Sequence, residues 1–595
     1  MKLTKEQDEK FNKLNISSFI ELSLLIPNSY EDYNINTSLI EHAYQVIDAT
    51  VESVYRAANS IQITFYAHNL GHSIGGVLFR PRPYMLHQFK VGERNYYYGL
   101  CDCKMGKCSM TMPKKVSQVG SVVAKYKSKL RSDVMQRFIQ NNLTLESLVA
   151  EGLKEEIASE MLKLHFPNVL PSKELSNTSI DALKYTELFS YMKQLSAKRR
   201  YFQALSSDLI DYKPWSKTLP FELTEKQIEA IDDIKADMSK DVAAKRMVVG
   251  DVGSGKTMVI LASAVMNSKQ KSILMSPTTI LANQLYEEAK KYLPSLKITL
   301  VTNKSKKIDL GEYDFIIGTH ALLFRELPEA SLVMVDEQHR FGTQQRNMLE
   351  KLVSSGERKP HYLQFSATPI PRTQAMIETA HIDVSLITST PFKKDITSKV
   401  IHKQDFKDLL VHIKSEIGHG NQILLVYPLV EQSEVLEYQS IDEARSYWEK
   451  NFDGVYVTHG KDKDKEQVLV DFAQKGNILI ATTVVEVGIS LPKLSTVVIV
   501  GAERLGLSTL HQLRGRVSRT GLQGYCYLYT NNSSSDRLDE FCHTKSGFDI
   551  ANMDLKYRKS GDLLKGVNQS GSQFKWIDLA EDEGIVSSVK KDIEV

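Results

Sequence analysis

The residues Gly250-Asp251-Val252-Gly253-Ser254-Gly255-Lys256-Thr257 follow one apolar run and open another, TMVILASAVM. Their spacing, G-x-x-x-x-G-K-[ST], is that of a phosphate-binding loop between a strand and a helix. Glycines let successive backbone N–H groups curl around phosphate oxygens, and the helix N-terminus adds a favourable dipole. On this reading Gly250, Gly253, Ser254 and Gly255 cradle a nucleotide, Lys256 reaches its β- and γ-phosphates, and Thr257 ligates Mg²⁺. A Gly-rich turn with a chance Lys-Thr is the competing explanation, and it accounts for neither flanking element. Asp336-Glu337-Gln338-His339 ends a second apolar run, LVMV. An acidic pair at a strand end is often only a solvated turn. About 80 residues beyond a phosphate loop, however, Asp336 is placed to hold Mg²⁺ through water, and Glu337 to polarise the attacking water. The third element is Gln512-Leu513-Arg514-Gly515-Arg516-Val517-Ser518-Arg519. Three arginines without an acidic partner in the window form either a solvated basic face or a catalytic group. The catalytic reading makes Arg516 and Arg519 arginine fingers, with Gln512 beside them, that engage only when a cleft closes.

Such residues need a parallel sheet, because ligands of open α/β sheets sit beyond the carboxyl ends of the strands. Short apolar runs at Met247–Val249, Ser272–Met275, Asp314–Ile317, Leu332–Val335 and Tyr362–Phe365 alternate with helical patterns. A second series follows the Ser389-Thr390-Pro391 break: Gln422–Tyr427, Val455–Val457, Asn477–Ile480, Thr496–Val500 and Gly524–Tyr529. Two α/β units in tandem imply a cleft between them. Upstream, VIDATVESV, SIQITFYA, GGVLF and NYYYGL read as short strands of a small barrel. The segment from about Lys127 to Ser206 has helical Leu/Ile spacing. The predicted organisation is therefore an N-terminal helical segment (1–43), a barrel (44–126), a helical linker (127–206), two α/β domains (207–390 and 391–545) and a C-terminal element (546–595).

At 595 residues the chain exceeds what one core supports. Its 75 Lys+Arg against 72 Asp+Glu leave a net charge of +3, so a nucleic-acid site must come from local charge rather than bulk basicity. The charged start MKLTKEQDEKFNKLN is not a secretory signal, and no apolar run is long enough to span a bilayer. Five cysteines make no disulfide framework in a chain of this length. The expectation is a cytoplasmic protein without membrane contact. CDCKMGKC (Cys101–Cys108) invites a zinc reading, but its first spacing is too tight and no fourth ligand lies in the segment, so a hairpin turn is expected.

In order, these motifs resemble those of superfamily 2 helicases. Gln227 in FELTEKQ resembles an adenine-reading glutamine, with Phe221 placed to stack nearby. SPTTILANQ (Ser276–Gln284, with Thr278) and GTHAL (Gly318–Leu322, with His320) resemble strand-tracking motifs. Ser366-Ala367-Thr368 resembles the motif coupling hydrolysis to DNA, and ATTVVEVGISLP (Ala481–Pro492, with Thr482) resembles motif V. More narrowly, GDVGSGKT, DEQHRFG, FSATPIPRT, ATTVVEVG and AERLGLSTLHQLRGRVSR together resemble the RecG family of bacterial fork-reversal helicases. LLIPNSYEDY (Leu24–Tyr33), LHFP (Leu164–Pro167) and DLKYRKSGDLLKGVNQSG (Asp554–Gly571) extend the resemblance to that family's wedge entry, linker and translocation element.

The resemblance implies an OB-type β-barrel wedge domain, two tandem RecA-like α/β domains and a small C-terminal element. It implies an ATP- and Mg²⁺-dependent DNA helicase or duplex translocase acting on stalled forks and Holliday junctions, in recombination, repair and fork reversal. Branched double-stranded DNA is the implied partner, with a single-stranded-DNA-binding protein as an open candidate. A monomer is expected, cytoplasmic and nucleoid-associated. The runner-up readings are a transcription-repair-coupling type of translocase and a junction-binding scaffold with weak ATPase. The chain departs from the family pattern at Ser490 (usually Asp), at Ser518 (usually Gly) and at Gly566-Val567-Asn568-Gln569 (usually Gly-Thr-Arg-Gln). These departures bear on ribose contacts and on translocation coupling, and they leave the phosphate chemistry in place.

A wedge needs aromatic surface at the strand junction, where stacking on a base contributes about 1–3 kcal/mol whatever the sequence. Phe79 and Tyr84 in GGVLFRPRPYM are the candidates, with Arg80 and Arg82 for backbone phosphates. Phe79 is equally compatible with the barrel core. Tyr96-Tyr97-Tyr98 is expected to alternate between the two faces of a strand.

Overall fold

Backbone placement in the computed structural model is described for residues 4–593 except 58, 83–84, 86, 105–106, 118, 173, 206–207, 354–356, 369, 392–394, 429–437, 461, 463, 483–490, 519–520 and 566–573. Tyr84, Ser490, Arg519 and Asn568 therefore lie outside the described residues. Contacts divide the chain into two compact units, Met1–Lys193 with Phe574–Asp578, and Gln194–Gln573 with Leu579–Val595.

In the first unit, β1 (Ser29–Asp32) pairs with β7 (Val122–Lys125) beside a closed barrel. The barrel strands are β2 (Ala43–Arg56), β3 (Ser60–Ala67), β4 (His72–Phe79), β5 (Arg94–Lys104) and β6 (Lys107–Val116), in the order β2-β3-β4-β6-β5. The β4–β6 pair is parallel and the other neighbours are antiparallel, the arrangement of an OB-type barrel. Period-two patterning drives it: along β3, Ile61, Ile63, Phe65 and Ala67 are buried, while Gln62 and Tyr66 face out. Tyr97 fills the barrel, whereas Tyr96 and Tyr98 pack on the opposite face with Tyr33 and Val123. The expected alternation holds, and both faces of β5 are covered. The CDCKMGKC segment closes the β5–β6 hairpin, as expected, and Cys103 and Cys108 are disulfide-bonded across it. Helices Ser132–Asn142, Leu145–Ala150, Glu155–His165 and Asn177–Ala197 follow. Glu187 accepts the backbone N–H groups of Trp576 (2.8 Å) and Ile577 (3.1 Å), so a piece of the C-terminal segment belongs to this unit.

The second unit holds two parallel sheets. The first comprises β8 (Lys245–Gly250), β9 (Ser272–Met275), β10 (Ile298–Val301), β11 (Phe315–Gly318), β12 (Leu332–Val335), β13 (His361–Ser366) and β14 (Asp383–Ile387), ordered β10-β11-β9-β12-β13-β8-β14. The second comprises β15 (Ile396–Ile401), β16 (Gln422–Val426), β17 (Val455–Thr458), β18 (Ile478–Ala481), β19 (Leu494–Val500) and β20 (Gly524–Tyr529), ordered β15-β20-β19-β16-β18-β17. Central strands such as β9 and β12 are buried along their whole length, as helices on both faces require. Strands β10, β14 and β15, which the sequence reading omits, are all edge strands with broken apolar patterns. The C-terminal element has little core of its own. Phe548 at the start of helix Gly547–Lys565 packs with Met247, Val249 and Ile382, and helix Glu583–Ile593 lies against helix Arg372–Glu378. Among the described residues no helix is long and apolar enough to cross a membrane.

Candidate active site

The phosphate loop leaves β8 and enters helix Lys256–Met266, as its sequence requires. Gly253 (φ +79°) and Gly255 (φ +76°) are left-handed, a conformation that costs other residues about 1–2 kcal/mol. At Gly255 a Cβ would also strike the amide of Gln227. Buried Gln227 donates to the Ser254 carbonyl (2.8 Å) and accepts the Thr224 N–H (2.8 Å), so one side chain caps helix Glu225–Met238 and braces the loop. Phe221 stands partly exposed with its ring edge-on to Tyr292. Lys256 Nζ donates to the carbonyls of Gly250 (2.8 Å) and Asp251 (3.1 Å), folding its charge back over its own loop.

Asp336 and Glu337 stand at the end of β12. Burial raises the Asp336 carboxyl well above the usual carboxylate range; the neighbouring Glu337 charge adds to this, and Lys256 opposes it. Such a buried carboxylate is suited to a cation. Among the described residues no group of three or more His, Cys, Asp or Glu forms a metal cage. Mg²⁺ takes one or two protein oxygens together with phosphates and water. The donor set at Thr257 and Asp336 fits that ion. Glu337 adopts left-handed backbone (φ 49°, ψ 51°), and its Oε2 accepts the Ala367 N–H at 3.3 Å. One residue on, Thr368 Oγ1 accepts from Gln512 Nε2 at 2.8 Å. Glu337, the Ser366-Ala367-Thr368 turn and the second sheet's helix Leu507–Arg514 are thus joined by consecutive contacts.

The three arginines separate. Arg514 is buried, donating to the Phe541 carbonyl (3.0 Å) with its guanidinium 4.2 Å from the Phe541 ring centroid, so it belongs to the second sheet's packing. Arg516 is half-buried in the turn directly after Gln512's helix. His511 escaped the sequence reading. It contacts Asp251 of the phosphate loop at 2.5 Å, across 260 positions of chain, and nothing local in the sequence marks that pairing.

The other expected nucleic-acid residues sit on separate elements. Thr278 caps helix Thr279–Tyr292 through the Leu281 N–H. His320 is exposed at the start of a 3₁₀ turn that ends in exposed Phe324, and Thr482 is buried just beyond β18. In the barrel, Phe79 is 56% exposed while Leu78 fills the core, so a core role for Phe79 does not hold. Arg80 and Arg82 are exposed beside it. Tyr55, 66% exposed, stands at the same end: β2 pairs Tyr55 with Gln62, and β3 pairs Gln62 with Val77 and Ser60 with Phe79. The bulge between Val51 and Ser53 shifts the alternation there, which hid Tyr55 from a simple reading of the strand.

Residues 224–377 match the DEAD/DEAH box helicase family, and residues 403–521 match the helicase conserved C-terminal domain. The chain is 42% identical to the ATP-dependent DNA helicase RecG of Helicobacter pylori strain J99, over 99% of this chain and 97% of that protein. The chain belongs to the RecG family. Its RecG relative from Streptococcus pneumoniae is 32% identical over 98% of this chain and 93% of that protein. The fold agrees with a solved RecG bound to a three-way DNA junction (TM-score 0.56, 24% identity, covering 98% of this chain and 84% of that one). As a RecG-family member with both helicase domains, the chain is an ATP-hydrolysing helicase. The departure at Ser518 has a local correlate: its φ is +60°, the region in which a glycine is unstrained.

Proposed function

We propose that the chain uses ATP hydrolysis to translocate on duplex DNA and to part strands at forks and Holliday junctions, in fork reversal, recombination and repair. The observation that carries this reading is the pairing of a complete phosphate loop and acidic pair with a separate barrel that exposes Tyr55, Phe79, Arg80 and Arg82 at one end. Full-length kinship to proteins named as ATP-dependent DNA helicases, and fold likeness to a RecG seated on a three-way junction, support DNA and branched DNA as the substrate.

In this account Lys256 exchanges its two loop carbonyls for β- and γ-phosphate oxygens, and the loop N–H groups of Gly253–Lys256 complete the cradle. Thr257 and Asp336 hold Mg²⁺, which when bound neutralises charge on the phosphate oxygens. Glu337 orients and polarises the attacking water. Gln512 reports through Thr368, and Arg516 and Arg519 supply positive charge to the transferring phosphoryl group as the lobes close. Gln227 and Phe221 flank the adenine side, and Thr278, His320 and Thr482 face the tracked strand. The wedge stacks on exposed bases while its arginines hold phosphates, so binding is sequence-independent and weakens steeply with salt. Strand displacement from a labelled three-way junction, with ATP and with ADP, tests the reading. ATP-dependent displacement is expected, and displacement with neither nucleotide, or binding without ATP hydrolysis, would favour the scaffold.

A further inference from the structure

Asp251, the second residue of the phosphate loop, is a point where three elements converge. Its Oδ1 accepts the Val252 N–H at 2.6 Å and lies 2.5 Å from His511 Nε2; its Oδ2 accepts the Gly547 N–H at 3.0 Å. His511 sits on helix Leu507–Arg514 of the second sheet, and Gly547 begins the C-terminal helix Gly547–Lys565. One carboxylate therefore joins the loop of the first lobe, a helix of the second and the start of the C-terminal element.

Arg514 fixes the direction of the hydrogen bond. A guanidinium only donates, and Arg514 Nη2 lies 3.2 Å from His511 Nδ1. Nδ1 must accept, so the ring proton sits on Nε2 and is donated to Asp251. His511 is only 5% exposed, and a buried donor that loses its acceptor costs more than an exposed one. Tight packing reinforces the contact, since a Cβ at Gly515 would come within 2.9 Å of the Val252 side chain.

The other face of Asp251 looks toward the nucleotide chemistry. Its carbonyl accepts from Lys256 Nζ (3.1 Å) and from the Ser254 N–H (3.0 Å). A phosphate that draws Lys256 away removes a restraint from the peptide whose side chain holds His511 and Gly547. We propose that Asp251 and His511 form a clasp through which occupancy of the phosphate loop is transmitted to the second lobe and the C-terminal helix. His511 is then a positioning residue that sets how much DNA is opened per ATP hydrolysed. This rests on the motor reading above, and it goes beyond that reading by naming the contact that links chemistry to stroke.

An ordinary packing contact at this place would change stability and scale every activity together. The test measures junctions unwound per ATP hydrolysed by the full-length protein, as wild type, His511→Ala and His511→Gln, the last retaining an N–H donor. His511→Ala is expected to lower that ratio about tenfold or more, within the usual range for coupling between sites, while ATP turnover falls by less than about threefold. His511→Gln should recover at least half of the lost ratio. A ratio unchanged in His511→Ala, or a Gln variant no better than Ala, would overturn the proposal. A second measurement needs no variant: amide exchange at Gly547–Asp549 in the wild type should speed up when a non-hydrolysable ATP analogue with Mg²⁺ binds. Unaltered exchange would equally overturn the clasp. Failure of the wild type to unwind any junction would instead remove the motor reading.

Discussion

Gln512 Nε2 donates to Thr368 Oγ1 at 2.8 Å, joining a helix of the second sheet to the turn after β13 in the first. Because Ala367, next to Thr368, donates its N–H to Glu337, the candidate water-polarising carboxylate is one peptide away from the opposite lobe. The acidic pair and the second sheet are thus joined through groups in direct hydrogen-bond contact.

Removing Glu337's charge should therefore separate binding from turnover. Glu337→Gln is expected to bind ATP and to lower turnover about 10²–10⁴-fold, the range for positioned acid–base groups. Single-turnover hydrolysis checks it, and turnover at the wild-type rate would take Glu337 out of that role.

Gly255 is sterically constrained twice, by its left-handed backbone and by Gln227. Gly255→Ala should displace Gln227 from the Ser254 carbonyl, lower the melting temperature and abolish measurable ATP binding. Calorimetric titration with an ATP analogue is the direct check. Because Gln227 braces the loop, Gln227→Ala should weaken binding of inorganic triphosphate as well as of ATP. A loss confined to ATP would mean that its contact is with adenine alone.

The Asp336 carboxyl titrates above its unfolded value because of burial and the Glu337 charge. In the window between those two values the folded state binds the extra proton, so this group's contribution to stability is fullest below the unfolded carboxylate range and is lost as pH rises through the raised value. Asp336→Asn removes that slope. Without nucleotide or Mg²⁺, its melting temperature should exceed the wild type's by a margin that widens from about pH 5 to about pH 8. A margin independent of pH would contradict the assignment.

At the barrel, Tyr55→Ala and Phe79→Ala should impair junction unwinding more than DNA-stimulated ATP hydrolysis, each costing about 1–3 kcal/mol if it stacks on a base. Equal losses in both assays would make these side chains structural.

The Gln512–Arg519 segment was legible because its arginines are closely spaced in sequence, and the phosphate loop and the acidic pair because each is a contiguous motif at the end of a strongly apolar strand. The buried strands were legible for the same reason, and the edge strands β10, β14 and β15 were not, since half-exposed residues interrupt their patterns. The Asp251–His511 contact spans 260 positions and depends on how two sheets meet, which no local pattern encodes. Arg514 shows the converse limit: its type and spacing match those of Arg516, yet Phe541 turns it inward. Tyr55 was obscured by a bulge that changes which residues of β2 face outward.

The most direct test of the account is ATP hydrolysis measured with a synthetic fork, with linear duplex and with single strand at matched nucleotide concentration. Stimulation by the fork well above that by the linear forms is the predicted result, and equal stimulation by all three would contradict a junction-directed motor.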